Sequence, residues 1–307
     1  MVRKHTRRAA KAAYAVSLAV AIVIGLVVTA CAGAAPAAKP TVTIGTKNFT
    51  EEYILGQLYK QALQAKGYTV KYHENIGSSE LIDTAIKSGK INFYPEYTGI
   101  IVADLAKKPF PKTAAATWAA AKAYEEQNGN TLLKATPFFD SDSFGMLKST
   151  AQKLGVKTIA DMKKVKSFTF AGYPECKKRI TCLLGLKKVY GLKQVKFVPL
   201  ASISVYTLLD GGKITAGDVF STDAPLQPPS KYVVLKDTKH IFGFQNVAPV
   251  ITQDLADKGG AAFAKIVNAV SAKLTVRAIS AMNKAVSVDK KSAAAVASAF
   301  LKANHLK

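Results

Sequence analysis

Apolar and polar positions alternate with period two along "TVTIGT", residues 41–46, which predicts a strand. The period then changes. Ile54, Leu55, Leu58, Ala62 and Leu63 recur at helical spacing, and Gly67 stops the helix they predict. "YTVKYHE" returns to a strand pattern, "GSSELIDTAIKSG" predicts a short helix entered through Ser78 or Ser79 and closed by Gly89, and "INFYP" is a third strand. The alanine-rich segment 113–127 predicts a helix ending at Asn128-Gly129. "FGMLK" and "SFTFAGYP" read as strands, and the short helix between them starts at Thr158, where Asp161 completes a capping-box pattern. "KQVKFVPL", "GDVFST" and "YVVLKD" are further strands, with a helix over "SISVYTLLDGG" between the first two. After "NVAPVITQ" the chain is helical and rich in Ala and Lys. This alternation predicts α/β architecture with mostly parallel sheets.

One segment lies outside the pattern. Arg3, Lys4, Arg7, Arg8 and Lys11 precede an uncharged run, Ala12 to Ala30, dense in Val, Ile, Leu and Ala. That is the basic and apolar signature of an export signal, although the run is also long enough for an uncleaved anchor. "VTAC", ending at Cys31, resembles the bacterial lipobox and favours a lipidated cysteine as the mature N-terminus. The chain then divides into a signal, 1–30, and a flexible tether, 31–40, before the folded part. The localisation expected is extracytoplasmic, with a lipid anchor on the bacterial cell membrane.

The 307 residues are 49% hydrophobic, enough for a real core. The net charge is +23, and +18 once the five basic residues of the signal are removed. The lysines are dispersed over the polar faces of helices, so the charge reads as a solvated surface and not as a nucleic-acid footprint. Cys176 and Cys182 remain after Cys31, and outside the reducing cytosol they read as a short-loop disulfide. The four histidines are scattered, so no metal site is expected. G-x-S-x-G, Walker A, H-E-x-x-H and G-x-G-x-x-G are all missing, so no enzyme activity and no cofactor are expected. An exported, tethered α/β chain of this kind reads as a solute receptor.

Several blocks in a fixed order give this reading a family. "TIGTKNFTEEYILGQL", "IGSSELIDTAIKSGKINFYPEYTGI", "PECKKRITCLLGLKKVYGL", "DVFSTDAPL" and "GFQNVAPVI" resemble the substrate-binding proteins of osmoprotectant ABC importers, the ProX/OpuC-like binders of glycine betaine, carnitine and choline. The resemblance covers nearly the whole mature chain. It implies a periplasmic-binding-protein type II fold: two lobes, 41–140 plus 246–307 and 141–245, joined by two crossovers and closing on a ligand in the cleft. It implies a monomer that hands its ligand to an ABC permease.

The family holds a quaternary ammonium among aromatic rings, because a trimethylammonium donates no hydrogen bond and is attracted instead to the negative faces of π-systems. Carried over block by block, the resemblance implies cage rings at Tyr97, Phe144, Phe220 and Phe244, and a basic clamp for a ligand carboxylate at Lys47 and Arg179. The disulfide would then brace the loop carrying Arg179. Tyr94 is expected to pack within its strand. The last three rings are commonly tyrosine in the family and are phenylalanine here, and Ile100 stands where a hydroxyl or acidic residue is typical. Ligand preference is therefore expected to turn on Ile100, with a larger betaine such as ergothioneine fitting the loss of polar groups. Two rival readings are a receptor for an amino-acid-like anion held by Lys47 and Arg179, and a sensor or adhesin lipoprotein.

Overall fold

The computed structural model describes residues 38–201 and 203–307. The export signal, Cys31 and all but the end of the tether lie outside them. Two five-stranded sheets organise the described chain, with strand orders β2-β1-β3-β10-β4 and β7-β6-β8-β5-β9. The first is built from β1 (Val42–Lys47), β2 (Val70–Gly77), β3 (Phe93–Tyr97), β4 (Asn130–Leu132) and β10 (Val247–Thr252). The second takes β5 (Asp142–Leu147), β6 (Phe168–Gly172), β7 (Val195–Pro199), β8 (Ala216–Phe220) and β9 (Tyr232–Val234).

Each sheet is mixed where mostly parallel sheets were expected. β1 runs parallel to β2 and β3, but β10 is antiparallel to β3 and β4. The second sheet repeats this: β6 is parallel to β7 and β8, while β5 is antiparallel to β8 and β9. In both sheets the antiparallel pairing involves a strand entered directly from the other sheet, β5 or β10, without a preceding crossover helix.

Helix α1 (Thr50–Ala65) shows how the sequence pattern becomes packing. Ile54, Leu55, Leu58, Tyr59, Ala62 and Leu63 are all 1% exposed or less, against the first sheet and the C-terminal helices. Full burial of each Leu or Ile among them stabilises the fold by about 1.5–3 kcal/mol. Helix α2 (Ser79–Lys87) follows β2, and α3 (Ala114–Gln127) is capped by the Thr113 hydroxyl, which accepts from the Ala116 amide. The second sheet carries α4 (Lys148–Leu154), α5 (Leu183–Lys188) and α6 (Val205–Asp210). Between α4 and β6, Thr158 and Asp161 form the capping box that their spacing predicts, here on a 3-10 turn. The chain ends in α7 (Gln253–Ser271), α8 (Val276–Ser287) and α9 (Ala293–Ala303). Among the described residues no helix is long and apolar enough to cross a membrane.

The chain passes between the sheets twice, and the two passages are joined to each other. The Asp140 amide donates to the Gln245 carbonyl at 3.1 Å, and the Thr136 amide to the Val247 carbonyl at 2.8 Å. Phe139 and Asn246 form an antiparallel bridge, and the Asn246 side chain donates to the Thr136 and Phe138 carbonyls. The result is a two-stranded ribbon between the halves.

Candidate functional site

Four aromatic rings meet between the two sheets. Tyr97 ends β3 and Phe220 ends β8, while Phe49 lies two residues past β1 and Tyr173 one residue past β6. All four therefore stand at the C-terminal ends of parallel strands, where open α/β sheets present their ligand crevices. The rings form a continuous stack: Tyr173 to Phe220 at 6.5 Å, Phe220 to Phe49 at 5.3 Å and Phe49 to Tyr97 at 6.2 Å between centroids. Two rings come from each half. Together with Ile100, Asp142 and Arg179 they line one cleft of about 560 Å³, its mouth included.

Acids surround this stack. Lys47 is buried, ion-paired to Glu96 and 3.7 Å from Glu52, with its ammonium 4.2 Å from the Tyr97 ring centroid. Glu51 is fully engaged: Tyr97 Oη donates to Oε1 at 2.8 Å, while Thr222 Oγ1 and Asn283 Nδ2 donate to Oε2 at 2.6 and 2.8 Å. Burial raises the Glu51 carboxyl despite these donors, and it pushes Glu52 up to about 8 against the opposing charge of Lys47. From the second half, burial raises Asp142 to about 6, with Arg179 opposing, and lifts Asp218 well above the carboxylate range. Asp218 Oδ1 is buried without a hydrogen-bond partner.

The basic residues are already occupied. Arg179 donates through Nε and Nη2 to both oxygens of Glu80, at 3.1 and 2.9 Å. Lys47 and Arg179 both line the cleft as expected, but each is neutralised by carboxylates of the protein. Neither stands as the free clamp that the resemblance implies.

Two of the expected rings stand elsewhere. Phe144 is fully buried with Phe168 and Phe170 in the core of the second half. The β5–β8 register explains this: Asp142 lies opposite Phe220 at the cleft edge, and Phe144 sits two pairs deeper, opposite Asp218. Phe244 is 39% exposed and lines a separate depression with Phe110, His240 and Phe242. Its neighbour Gln245 faces the cleft instead. Gln245 Oε1 accepts from the Ile100 amide, and its amide group lies 2.6 Å from where a Cβ on Gly99 would stand. Gly99 is what admits it. Ile100 lines the cleft at 5% exposure, and Tyr94 is buried in the first-half core.

Phe49 and Tyr173 were not expected. Phe49 sits between Lys47 and the first turn of α1, a position whose only sequence signal is an aromatic directly after a strand end. Tyr173 reads in sequence as part of the strand "SFTFAGYP".

Cys176 and Cys182 are bonded, with Cα atoms 5.1 Å apart. The loop they close carries three successive contacts to the first half. Arg179 meets Glu80, the Ile180 amide donates to Asp104 Oδ1 at 3.1 Å, and Thr181 Oγ1 donates to Asp104 Oδ2 at 2.7 Å. Gly185 makes the tight return into α5 possible: a Cβ there would stand 2.0 Å from the Ile180 carbonyl oxygen.

Comparison with known proteins agrees with this architecture. The substrate-binding domain of ABC-type glycine betaine transport systems, OpuAC, matches residues 40–303. A glycine-betaine-binding protein of Pseudomonas aeruginosa is 31% identical over 295 residues, which covers 90% of this chain and 93% of that one. An ergothioneine transport permease/ergothioneine binding protein, EgtU, of Helicobacter pylori is 29% identical over 268 residues; the alignment covers 86% of this chain and 47% of that protein. Among solved structures, a glycine betaine/carnitine/choline ABC transporter protein superposes with a TM-score of 0.68 at 23% identity, covering 86% of this chain and 99% of its own. An ABC-transporter choline-binding protein in complex with choline gives 0.65 at 15% identity, with 86% and 89% covered. These superpositions share the two-lobed α/β fold of type II periplasmic binding proteins. By the span of the match and the identity to its relatives, the chain belongs to the substrate-binding domain family of ABC-type glycine betaine transport systems.

Proposed function

We propose that this protein is the solute receptor of an ABC importer and binds a quaternary-ammonium osmolyte in the cleft between its sheets. One observation carries the reading: Phe49 and Tyr97 of the first half and Phe220 and Tyr173 of the second stack into a single aromatic wall. A quaternary ammonium is attracted to ring faces by roughly 0.5–2 kcal/mol per good contact, more when dry. The ammonium of Lys47 over Tyr97 already illustrates the preference. The lobes, 41–140 with 246–307 and 141–245, would hinge about the crossover ribbon and present the closed form to a membrane permease. Cys31 would carry the lipid that holds a monomeric, extracytoplasmic receptor at the membrane. No chemical step is assigned to it.

Calorimetric titration of the folded domain against glycine betaine, carnitine, choline, ergothioneine and common amino acids tests this. Binding of a quaternary amine that collapses in Tyr97→Ala and in Phe220→Ala supports it. Tight binding of amino acids or anions alone overturns it.

A further inference from the structure

The polar groups of the cleft are arranged for a different partner from the one a zwitterionic betaine offers. A betaine brings a carboxylate along with its ammonium, and that carboxylate needs donors. The two cations that line the cleft are spent on the protein's own acids: Lys47 on Glu96 and Glu52, Arg179 on Glu80 through Nε and Nη2. What the second half offers instead is acceptor capacity. Asp142 and Asp218 both line the cleft, each 7% exposed, from neighbouring antiparallel strands whose register sets them two pairs apart. Oδ1 of Asp218 is a buried acceptor with no donor, and a buried acceptor of this kind is costly unless something reaches it. Asp140, the other aspartate of the cleft, is satisfied by Ser221 Oγ and the Thr222 amide, each at 2.9 Å.

Resting on the quaternary-ammonium reading, we propose that the ligand is a net cation without a carboxylate, an ammonium alcohol or ammonium amine whose O–H or N–H donates to Asp218. The aromatic wall takes the alkylammonium, and the Asp142–Asp218 floor takes the donor end. A carboxylate in that place faces the Asp142 carboxylate in a poorly hydrated site, where like charges repel most strongly, and it gives Asp218 no positive charge to ionise against. Burial and the adjacent Asp142 carboxylate both disfavour the ionised form of Asp218, and an incoming positive charge relieves that. Asp218 is thus the specificity-determining residue, rejecting betaines as it selects cations.

Three probes separate the contributions: choline, with ammonium and hydroxyl; tetramethylammonium, with ammonium alone; and glycine betaine, with ammonium and carboxylate. Titration of the wild-type domain is expected to rank choline above tetramethylammonium and at least tenfold above glycine betaine. A hydrogen bond to a charged acceptor corresponds to about 10- to 100-fold in affinity. In Asp218→Asn the advantage of choline over tetramethylammonium should shrink to within about threefold, while glycine betaine binding improves. Asn is nearly isosteric and uncharged, so circular dichroism should show an unchanged fold, and the wild-type ranking stands without any variant. Glycine betaine binding as tightly as choline to the wild type overturns the proposal, as does an Asp218→Asn variant that keeps the choline advantage. If choline, tetramethylammonium and glycine betaine all fail to bind, the quaternary-ammonium reading itself falls and takes this one with it; glycine betaine binding alone overturns only this proposal.

Discussion

Arg179 and Glu80 meet across the cleft in a two-point ion pair, one residue on the disulfide loop of the second half and the other in the first turn of α2. Burial alone would raise the Glu80 carboxyl, but the Arg179 hydrogen bonds and charge outweigh it and hold Glu80 at about 2. A depressed carboxylate stabilises the folded, joined state above its unfolded value near 4.5 and loses that contribution as pH falls towards 2. The stability difference between the wild type and Glu80→Gln, measured by thermal melting, should be constant above about pH 5 and shrink to nothing near pH 2. A difference that grows on acidification would refute the pairing.

Phe220 and Phe144 lie on the same stretch of sheet yet should fail differently. Phe220→Ala removes a wall of the cleft and is expected to cost ligand affinity at least tenfold with a modest change in melting temperature. Phe144→Ala opens a cavity beside Phe168 and Phe170 and should cost about 3–5 kcal/mol of folding stability, with affinity retained in the folded fraction. Urea unfolding alongside calorimetry separates the two. Phe49→Ala should follow Phe220→Ala.

How far these roles were legible depended on what each residue's position advertises. Strand pattern places Tyr94 inward. The resemblance, not the pattern, points Tyr97 and Phe220 to the cleft, and both line it from strand ends. The same carry-over does not bring Phe144 there, because which pair of the β5–β8 ladder lies at the rim is set by strand pairing some 75 residues apart in sequence. Glu51 and Glu52 look like solvated acids of a helix's first turn. Glu51 is held by Tyr97, Thr222 and Asn283, which converge from three distant segments, and Glu52 by Lys47, which no local pattern records. The mixed sheets were hidden for the same reason: hydrophobic period gives strands but not their direction.

Lys47 holds two buried carboxylates in place, Glu52 and Glu96. Lys47→Met leaves both without their cation and should cost about 3–5 kcal/mol at neutral pH. The carboxyl of Glu52, already pushed up to about 8, gains a proton more readily in the fold than in the unfolded chain. Its ionisation therefore costs stability as pH rises from about 4.5 to about 8. The melting temperature of Lys47→Met should accordingly rise as the pH is lowered from 8 towards 5. A melting temperature indifferent to pH over that range would argue against the buried acids.

The Cys176–Cys182 bridge closes a loop of seven residues, which by chain entropy stabilises the fold by roughly 2 kcal/mol. Its reduction, or the double change Cys176→Ser with Cys182→Ser, should lower stability by that amount. The larger effect should be kinetic. With Arg179, Ile180 and Thr181 less fixed, the contacts to Glu80 and Asp104 loosen, and stopped-flow measurements should show faster ligand release at a nearly unchanged association rate. Release kinetics indifferent to the bridge would show that the loop does not fasten the halves.

The ribbon formed where the chain passes twice between the sheets has a mechanical meaning. Two independent covalent links would let the halves swivel as well as swing. Hydrogen bonds from Asp140 to Gln245 and from Thr136 to Val247 tie the links into one strip, which bends easily across its width and resists torsion. If the halves move on ligand binding, such a strip would favour one rotation and return Tyr97 and Phe220 to the same apposition, so that the register of the aromatic wall would be kept by backbone pairing at Thr136 to Val247, away from the wall itself.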